Sequence, residues 1–207
     1  MKSLIVAATY FEIEPFIHQK KEVDILITGV GIQATVYHLT KKLMTEKYDL
    51  VIQAGIAGSF SDKLKLGDVV AVKEDTFGDL GIEENGKMQT LFETGFSETN
   101  EFPFTNGWIV NANANFEKVS LPLVKAITVN KVSDNPIQNK FALEKFGADV
   151  ESMEGAAFHY VCLQQKINFL QLRSISNHVG ERDKSKWNLK AAIENLNKEL
   201  LKIVDNL

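Results

Sequence analysis

The sequence has little cysteine, little arginine and no long apolar run. Cys162 is the only cysteine, so an intrachain disulfide and a cysteine-based metal cluster are excluded, and a cytoplasmic location is expected. No apolar run approaches the ~18 residues of a membrane-spanning helix, so we expect no membrane association. The only arginines are Arg173 and Arg182, both near the C-terminus.

Length and charge further limit the class of protein to which the chain can belong. The 207 residues suit one domain spanning the whole chain. A net charge of −4 argues against nucleic acid as a partner. The apolar N-terminal run is interpreted as a first buried strand rather than a signal peptide, because Glu12 and Glu14 follow where a cleavage site would lie.

Apolar, β-branched runs alternate with amphipathic stretches along the chain. The runs are typical of strands covered on both faces, and they fall at residues 4–8, 23–28, 50–53, 69–72, 127–132 and 169–174. Helical spacing marks residues 34–45, 138–146, 153–165 and 189–204, the last with Asn188 as N-cap. Residues 75–107 predict irregular loops and short strands. This alternation predicts an α/β domain with ligands at the carboxyl ends of its strands.

Polar and glycine-rich segments follow the first three predicted strands. Glu12 comes after the first strand. Its carboxylate either takes part in the reaction at the edge of the sheet or only interacts with the dipole of a helix N-terminus. Gly29 and Gly31 follow the second strand and allow the backbone to approach a ligand closely. At the end of the third strand, the glycines and alanines of residues 53–60 predict a turn that forms a backbone-lined cradle, the alternative being a tight strand-to-helix turn.

Two later segments carry more polar groups than packing requires. Glu154 stands before an apolar helix, where its carboxylate can accept hydrogen bonds from a vicinal diol. The alternative is a capping role, with Ser152 as N-cap and Glu154 in the first turn. Residues 173–183 leave the last core strand, and the lone His178 among them is more often structural than catalytic.

Five segments in this order resemble the purine nucleoside phosphorylase and nucleosidase superfamily: Glu12 and residues 28–31, 54–58, 153–156 and 173–177. The resemblance covers nearly the whole chain. It implies a single α/β domain with a central mixed β-sheet surrounded by helices. It also implies a small-molecule nucleoside as ligand, a homodimer or larger homo-oligomer, and no cofactor.

The resemblance implies roles for particular residues. Glu12 matches the carboxylate that activates water, Asn177 the residue that handles the leaving base, and Trp187 an aromatic ring that closes over the ligand. The remaining residues match positions that contact the ribose or line its pocket: Ala57, Gly58, Met153, Glu154 and Ser176. No metal is expected, because the chain has no suitable spacing of histidines or carboxylates.

Water is favoured over phosphate as the nucleophile. Phosphorylases of this superfamily hold phosphate with arginines from the early loops, yet residues 1–172 contain no arginine. A phosphate dianion needs charge-assisted donors such as a guanidinium. The Glu12 carboxylate would also repel it, whereas it suits general-base activation of water.

Asn177 bears on which base leaves. Adenine-specific nucleosidases of the superfamily carry aspartic acid at this position, and an amide supplies no titratable proton. The amide instead donates to O6 or N7, which favours a 6-oxopurine. Residues 75–81 and 176–187 also resemble members that release hypoxanthine from a nucleoside carrying a benzoate. Arg182 is the candidate cation for that benzoate, the alternative being an ion pair with Glu181 or Asp183.

Three other functions stay open at this point. A nucleosidase acting on methylthioadenosine and adenosylhomocysteine is the next candidate, with Asn177 as the feature against it. A non-catalytic nucleoside-binding protein is disfavoured by the presence of both Glu12 and Glu154. A nucleoside phosphorylase comes last.

Overall fold

A computed structural model describes residues 1–19, 22–112 and 119–207. Five helices lie in these ranges: α1 Tyr10–Gln19, α2 Ile32–Thr45, α3 Pro136–Phe146, α4 Gly155–Gln164 and α5 Leu189–Asp205. The strands are β1 Ser3–Ala7, β2 Asp24–Ile27, β3 Leu50–Ser59, β4 Val69–Phe77, β5 Gly81–Glu84, β6 Lys87–Thr90, β7 Phe104–Thr105, β8 Trp108–Val110, β9 Leu123–Thr128, β10 Val150–Ser152 and β11 Phe169–His178. Within the same ranges, no helix is both long enough and apolar enough to cross a bilayer.

The described strands form one nine-stranded mixed sheet and a separate β5–β6 hairpin. The sheet runs in the order β2-β1-β3-β10-β9-β4-β8-β7, and β11 bridges β3 and β4. Strands β3, β10, β9, β4 and β11 therefore close into a ring, with β11 parallel to β3 and antiparallel to β4. The predicted α/β domain with a central mixed sheet is confirmed.

Side chains of β1 point alternately to two covered faces, as the period of a strand requires. Ile5 packs in the cluster that contains Phe16 of α1 and Leu196 of α5. Leu4 packs in the opposite cluster, with Leu39 of α2 and Phe158 of α4. Burial on both faces explains why the strand is a continuous apolar run.

The last helix follows its sequence pattern closely. The Asn188 side chain accepts a hydrogen bond from the backbone N–H of Ala191, so it is the predicted N-cap. The buried face of α5 includes Ile193, Leu196 and Leu200, which recur at helical spacing. This face packs against the site-bearing strand β11 and holds it in place.

Strand β9 was predicted at residues 127–132, and that placement is wrong. It spans Leu123–Thr128, where it pairs in parallel with both β4 and β10. Leu123 and Lys125 at its start are exposed, so the first half lacks the continuous apolar run on which the prediction relied.

The turn predicted within residues 53–60 is also wrong, because β3 continues through this segment to Ser59. Strand β11 likewise continues past Ser174 to His178, and the two strands pair along their whole length. Glycine and alanine have weak strand propensity, so the continuation depends on hydrogen bonds from neighbouring strands rather than on local preference. The site is therefore built on strand backbone.

Candidate active site

A cavity of about 620 Å³ opens at the carboxyl ends of β1, β3, β10 and β11. All nine residues selected from the sequence line it: Glu12, Ala57, Gly58, Met153, Glu154, Ser176, Asn177, Arg182 and Trp187. The structure thus brings together side chains from four segments that are distant in sequence, while the roles assigned to them stay predictions.

Glu12 lies in the first turn of α1 and is buried. Its Oε2 accepts hydrogen bonds from the Thr9 backbone N–H at 3.0 Å and from Thr9 Oγ1 at 2.9 Å. This is the glutamate half of a capping box, so Glu12 complements the helix and lines the cavity at once. Its Oε1 accepts from the Ile56 N–H at 3.1 Å. Burial raises the pKa of Glu12, an effect that the nearby Arg173 charge opposes. A raised pKa suits a general base working near neutral pH.

Glu154 immediately precedes α4 and is held at both carboxylate oxygens. Oε1 accepts from the Gly31 backbone N–H at 3.1 Å, and Oε2 lies 3.5 Å from Nη1 of Arg173. Gly31 has φ of 97°, a conformation that favours glycine, so the glycine-rich segment after β2 positions this carboxylate.

The capping role proposed for Ser152 is wrong. Helix α4 begins at Gly155, and Glu154 occupies the preceding cap position without a side-chain capping bond. Ser152 Oγ accepts only a 3.3 Å bond from the Gly155 N–H, whereas Thr128 Oγ1 accepts a 2.7 Å bond from the Ala156 N–H. A hydroxyl from a neighbouring strand therefore satisfies the helix start, a partner that local sequence does not reveal.

A buried carboxyl lies beneath the start of α4. Asp75 accepts hydrogen bonds from Thr128 Oγ1 at 2.9 Å and from Gln171 Nε2 at 3.2 Å. A Cβ on Gly155 would come within 2.1 Å of Asp75 Oδ2, so the close approach requires glycine. Burial raises the pKa of Asp75 to about 7, so near neutral pH the carboxyl is only partly ionised.

Arg173 is the site residue that sequence reasoning missed. Its side chain is 1% exposed, and its guanidinium reaches Gln53 Oε1 at 3.0 Å as well as Glu154. A Cβ on Gly55 would lie 2.4 Å from Arg173 Nη1 and 3.0 Å from Glu12 Oε1. The guanidinium therefore lies between the two carboxylates. An arginine inside an apolar strand, in a chain with only two, was the available signal.

Asn177 and Ser176 form the polar end of the cavity. Asn177 Oδ1 accepts from Ser176 Oγ at 2.8 Å, and Asn177 Nδ2 donates to the His178 carbonyl at 2.9 Å. An amide nitrogen carries two hydrogens, so one stays available to a ligand. A Cβ on Gly58 would lie 3.3 Å from Nδ2, so glycine keeps the approach to this amide open.

The rim of the cavity consists of residues after β11. Trp187 Nε1 donates to the Glu181 carbonyl at 2.9 Å, and the Arg182 guanidinium lies 5.7 Å from the Trp187 ring centroid. The carboxylates considered as partners of Arg182 are engaged elsewhere. Glu181 pairs with Lys186 at 2.7 Å, and Asp183 caps the short 3-10 helix at 184–186.

Comparisons with known proteins identify the family of the chain. The model of the phosphorylase superfamily matches residues 9–207. The chain is 29% identical over 174 residues to futalosine hydrolase of Thermus thermophilus, covering 83% of this chain and 76% of the relative. It is 31% identical over 165 residues to a 5′-methylthioadenosine/S-adenosylhomocysteine nucleosidase of Shewanella halifaxensis, covering 76% and 70%. The native structure of Helicobacter pylori futalosine hydrolase superposes with a TM-score of 0.81 at 19% identity, covering 100% and 98% of the chains.

The chain therefore belongs to the phosphorylase superfamily. Within that superfamily it is an N-glycosyl hydrolase of the purine nucleosidase type, the class to which its relatives belong. The relatives divide between two substrates, so the substrate must be inferred from the site.

Proposed function

We propose that the chain hydrolyses the N-glycosidic bond of futalosine, releasing hypoxanthine and dehypoxanthine futalosine in menaquinone biosynthesis. The observation that carries this proposal is the amide of Asn177 at the polar end of a cavity that also holds Glu12 and Glu154. An amide donates to O6 or N7 of hypoxanthine but cannot protonate adenine. The similarity to the Thermus enzyme supports the same choice.

In the proposed mechanism, the bond to the base breaks through an oxocarbenium-like transition state. Glu154 accepts hydrogen bonds from the ribose diol, and Met153 packs beneath the sugar. Glu12 takes a proton from the attacking water, for which its buried position and raised pKa are favourable. Asn177 stabilises the negative charge that develops on the departing hypoxanthine.

Water is proposed as the nucleophile because the buried guanidinium of Arg173 already contacts other side chains and is not free to bind phosphate. Arg173 contacts Glu154 and Gln53 and is 1% exposed, so it is not presented to a phosphate ion. The other guanidinium, Arg182, lies at the rim beside Trp187. That position suits the carboxylate of a substituent on the 5′ side of the ribose.

A methylthioadenosine/adenosylhomocysteine nucleosidase is the second candidate, favoured by the 31% identity to the Shewanella enzyme. Asn177 is the feature against it, because it lacks the proton expected for an adenine leaving group. A non-catalytic nucleoside-binding protein is disfavoured by the paired Glu12 and Glu154, which binding alone does not require.

The test is product release from futalosine, inosine and methylthioadenosine, each with and without phosphate, followed by chromatography. We expect phosphate-independent release of hypoxanthine, fastest from futalosine. Adenine release from methylthioadenosine alone would replace the proposal with the second candidate. A requirement for phosphate would indicate a phosphorylase, and binding without turnover on any substrate would indicate a binding protein.

We also propose a cytoplasmic homodimer or larger homo-oligomer. Phe11 and Val30 line the cavity, yet each is 57% exposed, and Tyr37 is exposed on α2. Apolar side chains so exposed at the edge of a site favour cover by a second copy. Sedimentation equilibrium of the purified chain tests the assembly, and a monomer at micromolar concentration would contradict it.

A further inference from the structure

Glu151 and Asn177 line the same cavity from the two strands that flank one glycine. In the sheet register, Gly58 of β3 is the Cα partner of Glu151 in β10 and of Asn177 in β11. Neighbouring strands lie ~4.8 Å apart, so the two Cα atoms are roughly 10 Å apart. Paired residues project to the same face of a sheet, and both of these line the cavity.

The carboxylate of Glu151 differs from the other two acidic groups of the site. Glu12 and Glu154 are both hydrogen-bonded at each oxygen. Within residues 1–19, 22–112 and 119–207, no hydrogen bond or ion pair engages the carboxylate of Glu151, although the residue is half-buried. A half-buried acceptor without a donor loses hydration at a cost in free energy that a bound donor would offset.

The two base classes differ at the atom that such an acceptor would meet. A 6-oxopurine carries a hydrogen on N1, next to the O6 acceptor. A 6-aminopurine instead presents an N1 lone pair. An ionised carboxylate only accepts hydrogen bonds, so it pairs with the first pattern and opposes the second.

Resting on the proposed function, we propose that Glu151 accepts the N1–H of the leaving 6-oxopurine. Asn177 donates to the O6 or N7 side of the same base. Together they make a pair of groups that recognise the base, one on each side of Gly58. Glu151 then adds selectivity for hypoxanthine over adenine in binding, beside the selectivity that Asn177 gives when the base leaves.

The protonation state of Glu151 fixes the conditions of the test. Burial and, to a smaller extent, the charge of Asp79 raise its pKa to about 7, and the charge of Arg182 opposes that rise. Lys131 and Glu181 also face the cavities that Glu151 lines. The carboxylate is the acceptor form, so affinities are compared at about pH 8, above that pKa.

The experiment is calorimetric measurement of Kd for hypoxanthine, 1-methylhypoxanthine and adenine, with wild type, Glu151→Ala and Glu144→Ala. Glu144 is a matched control, because it is an exposed glutamate on α3 paired with Lys140 at 3.6 Å. We expect Glu151→Ala to raise the Kd for hypoxanthine by about 10- to 100-fold, the range for loss of a hydrogen bond to a charged group. The Kd for adenine should not rise. Wild type and Glu144→Ala should reject 1-methylhypoxanthine, and Glu151→Ala should not.

Two results would overturn the inference. An equal loss of affinity for both bases would mean that Glu151 only supports the shape of the pocket. An unchanged ratio between hypoxanthine and its 1-methyl derivative would mean that N1–H is not read at this position. Neither result affects the proposed reaction, which is judged separately by hypoxanthine release from futalosine in wild type.

Discussion

Nη1 of Arg173 lies 3.5 Å from Oε2 of Glu154, and both side chains are almost entirely buried. The pair joins β11 to the start of α4 beneath the cavity. Its cation also lowers the pKa of Glu12, against the effect of burial. The positive charge of Arg173 thus stabilises the ionised forms of Glu12 and Glu154, the two carboxylates with proposed roles in the reaction.

Replacing Arg173 by methionine should therefore destabilise the fold. Methionine keeps much of the volume but leaves the Glu154 carboxylate buried and unpaired, and breaking such a pair typically costs about 3–5 kcal/mol. Urea unfolding measures the loss. Adding Glu154→Gln should restore part of it, while Arg182→Ala at the rim should change stability little. A single variant as stable as wild type would refute the compensating role.

Replacing Glu12 by glutamine should lower kcat by about 10²–10⁴-fold, because the amide cannot take a proton from water. Glutamine is also accepted at this position of a capping box, so α1 should remain intact. Hypoxanthine release under saturating substrate measures turnover, and thermal unfolding checks the fold. Near-normal turnover in a well-folded variant would remove Glu12 from the role of base.

The stability of the chain should fall as pH rises from about 4 to 7, in part through Asp75. Its pKa is about 7 in the folded chain against an ordinary 3.8, so in this window the folded state holds a proton that the unfolded state has lost. Raising the pH removes that proton at a cost to the folded state.

Asp75→Asn isolates this contribution, because an amide stays neutral at every pH. Gln171 Oε1 lacks a partner in the described structure, so a rotated Gln171 can accept from the new amide. The variant should lose less unfolding free energy between pH 4 and 7 than wild type, by on the order of a few kcal/mol. Parallel slopes in urea unfolding across this range would contradict the assignment. Glu12 and Glu151 contribute equally to both proteins and cancel.

Replacing Arg182 by alanine should raise KM for futalosine about tenfold while leaving KM for inosine nearly unchanged. The guanidinium lies at the rim over Trp187, where it can pair with a benzoate that inosine lacks. Steady-state kinetics with both substrates measure the difference. An equal increase in both KM values would assign Arg182 a general role in shaping the rim.

Much of the fold could be predicted, because the buried faces of its core helices and strands are visible in the local pattern of apolar residues. The run at 4–8 is apolar throughout because both of its faces are covered, and the stripe on α5 has the helical spacing of its buried face. The site could be located for a related reason. Its polar residues follow apolar strands, and the carboxyl ends of those strands converge on one cavity.

The remainder depends on contacts between distant segments. Strand β3 continues through residues 54–59 because β10 and β11 pair with it there. The role of Arg173 could not be predicted from its own segment, because it depends on contacts with Gly55 and Glu154, which are distant in sequence or in another element. The capping role considered for Ser152 fails because Thr128, 28 residues from Ala156, makes the capping bond.

The closed ring of β3, β10, β9, β4 and β11 limits how copies of this chain can associate. Each of those strands has a strand partner on both sides along part of its length, and the Ile56 N–H of β3, between β1 and β10, donates to Glu12 instead. In the described part of the sheet, free backbone edges exist only at β2 and β7. Assembly through the cavity-bearing face should therefore proceed by side-chain packing rather than by sheet extension, and strand addition to the folded chain would begin at those outer strands or at the β5–β6 hairpin.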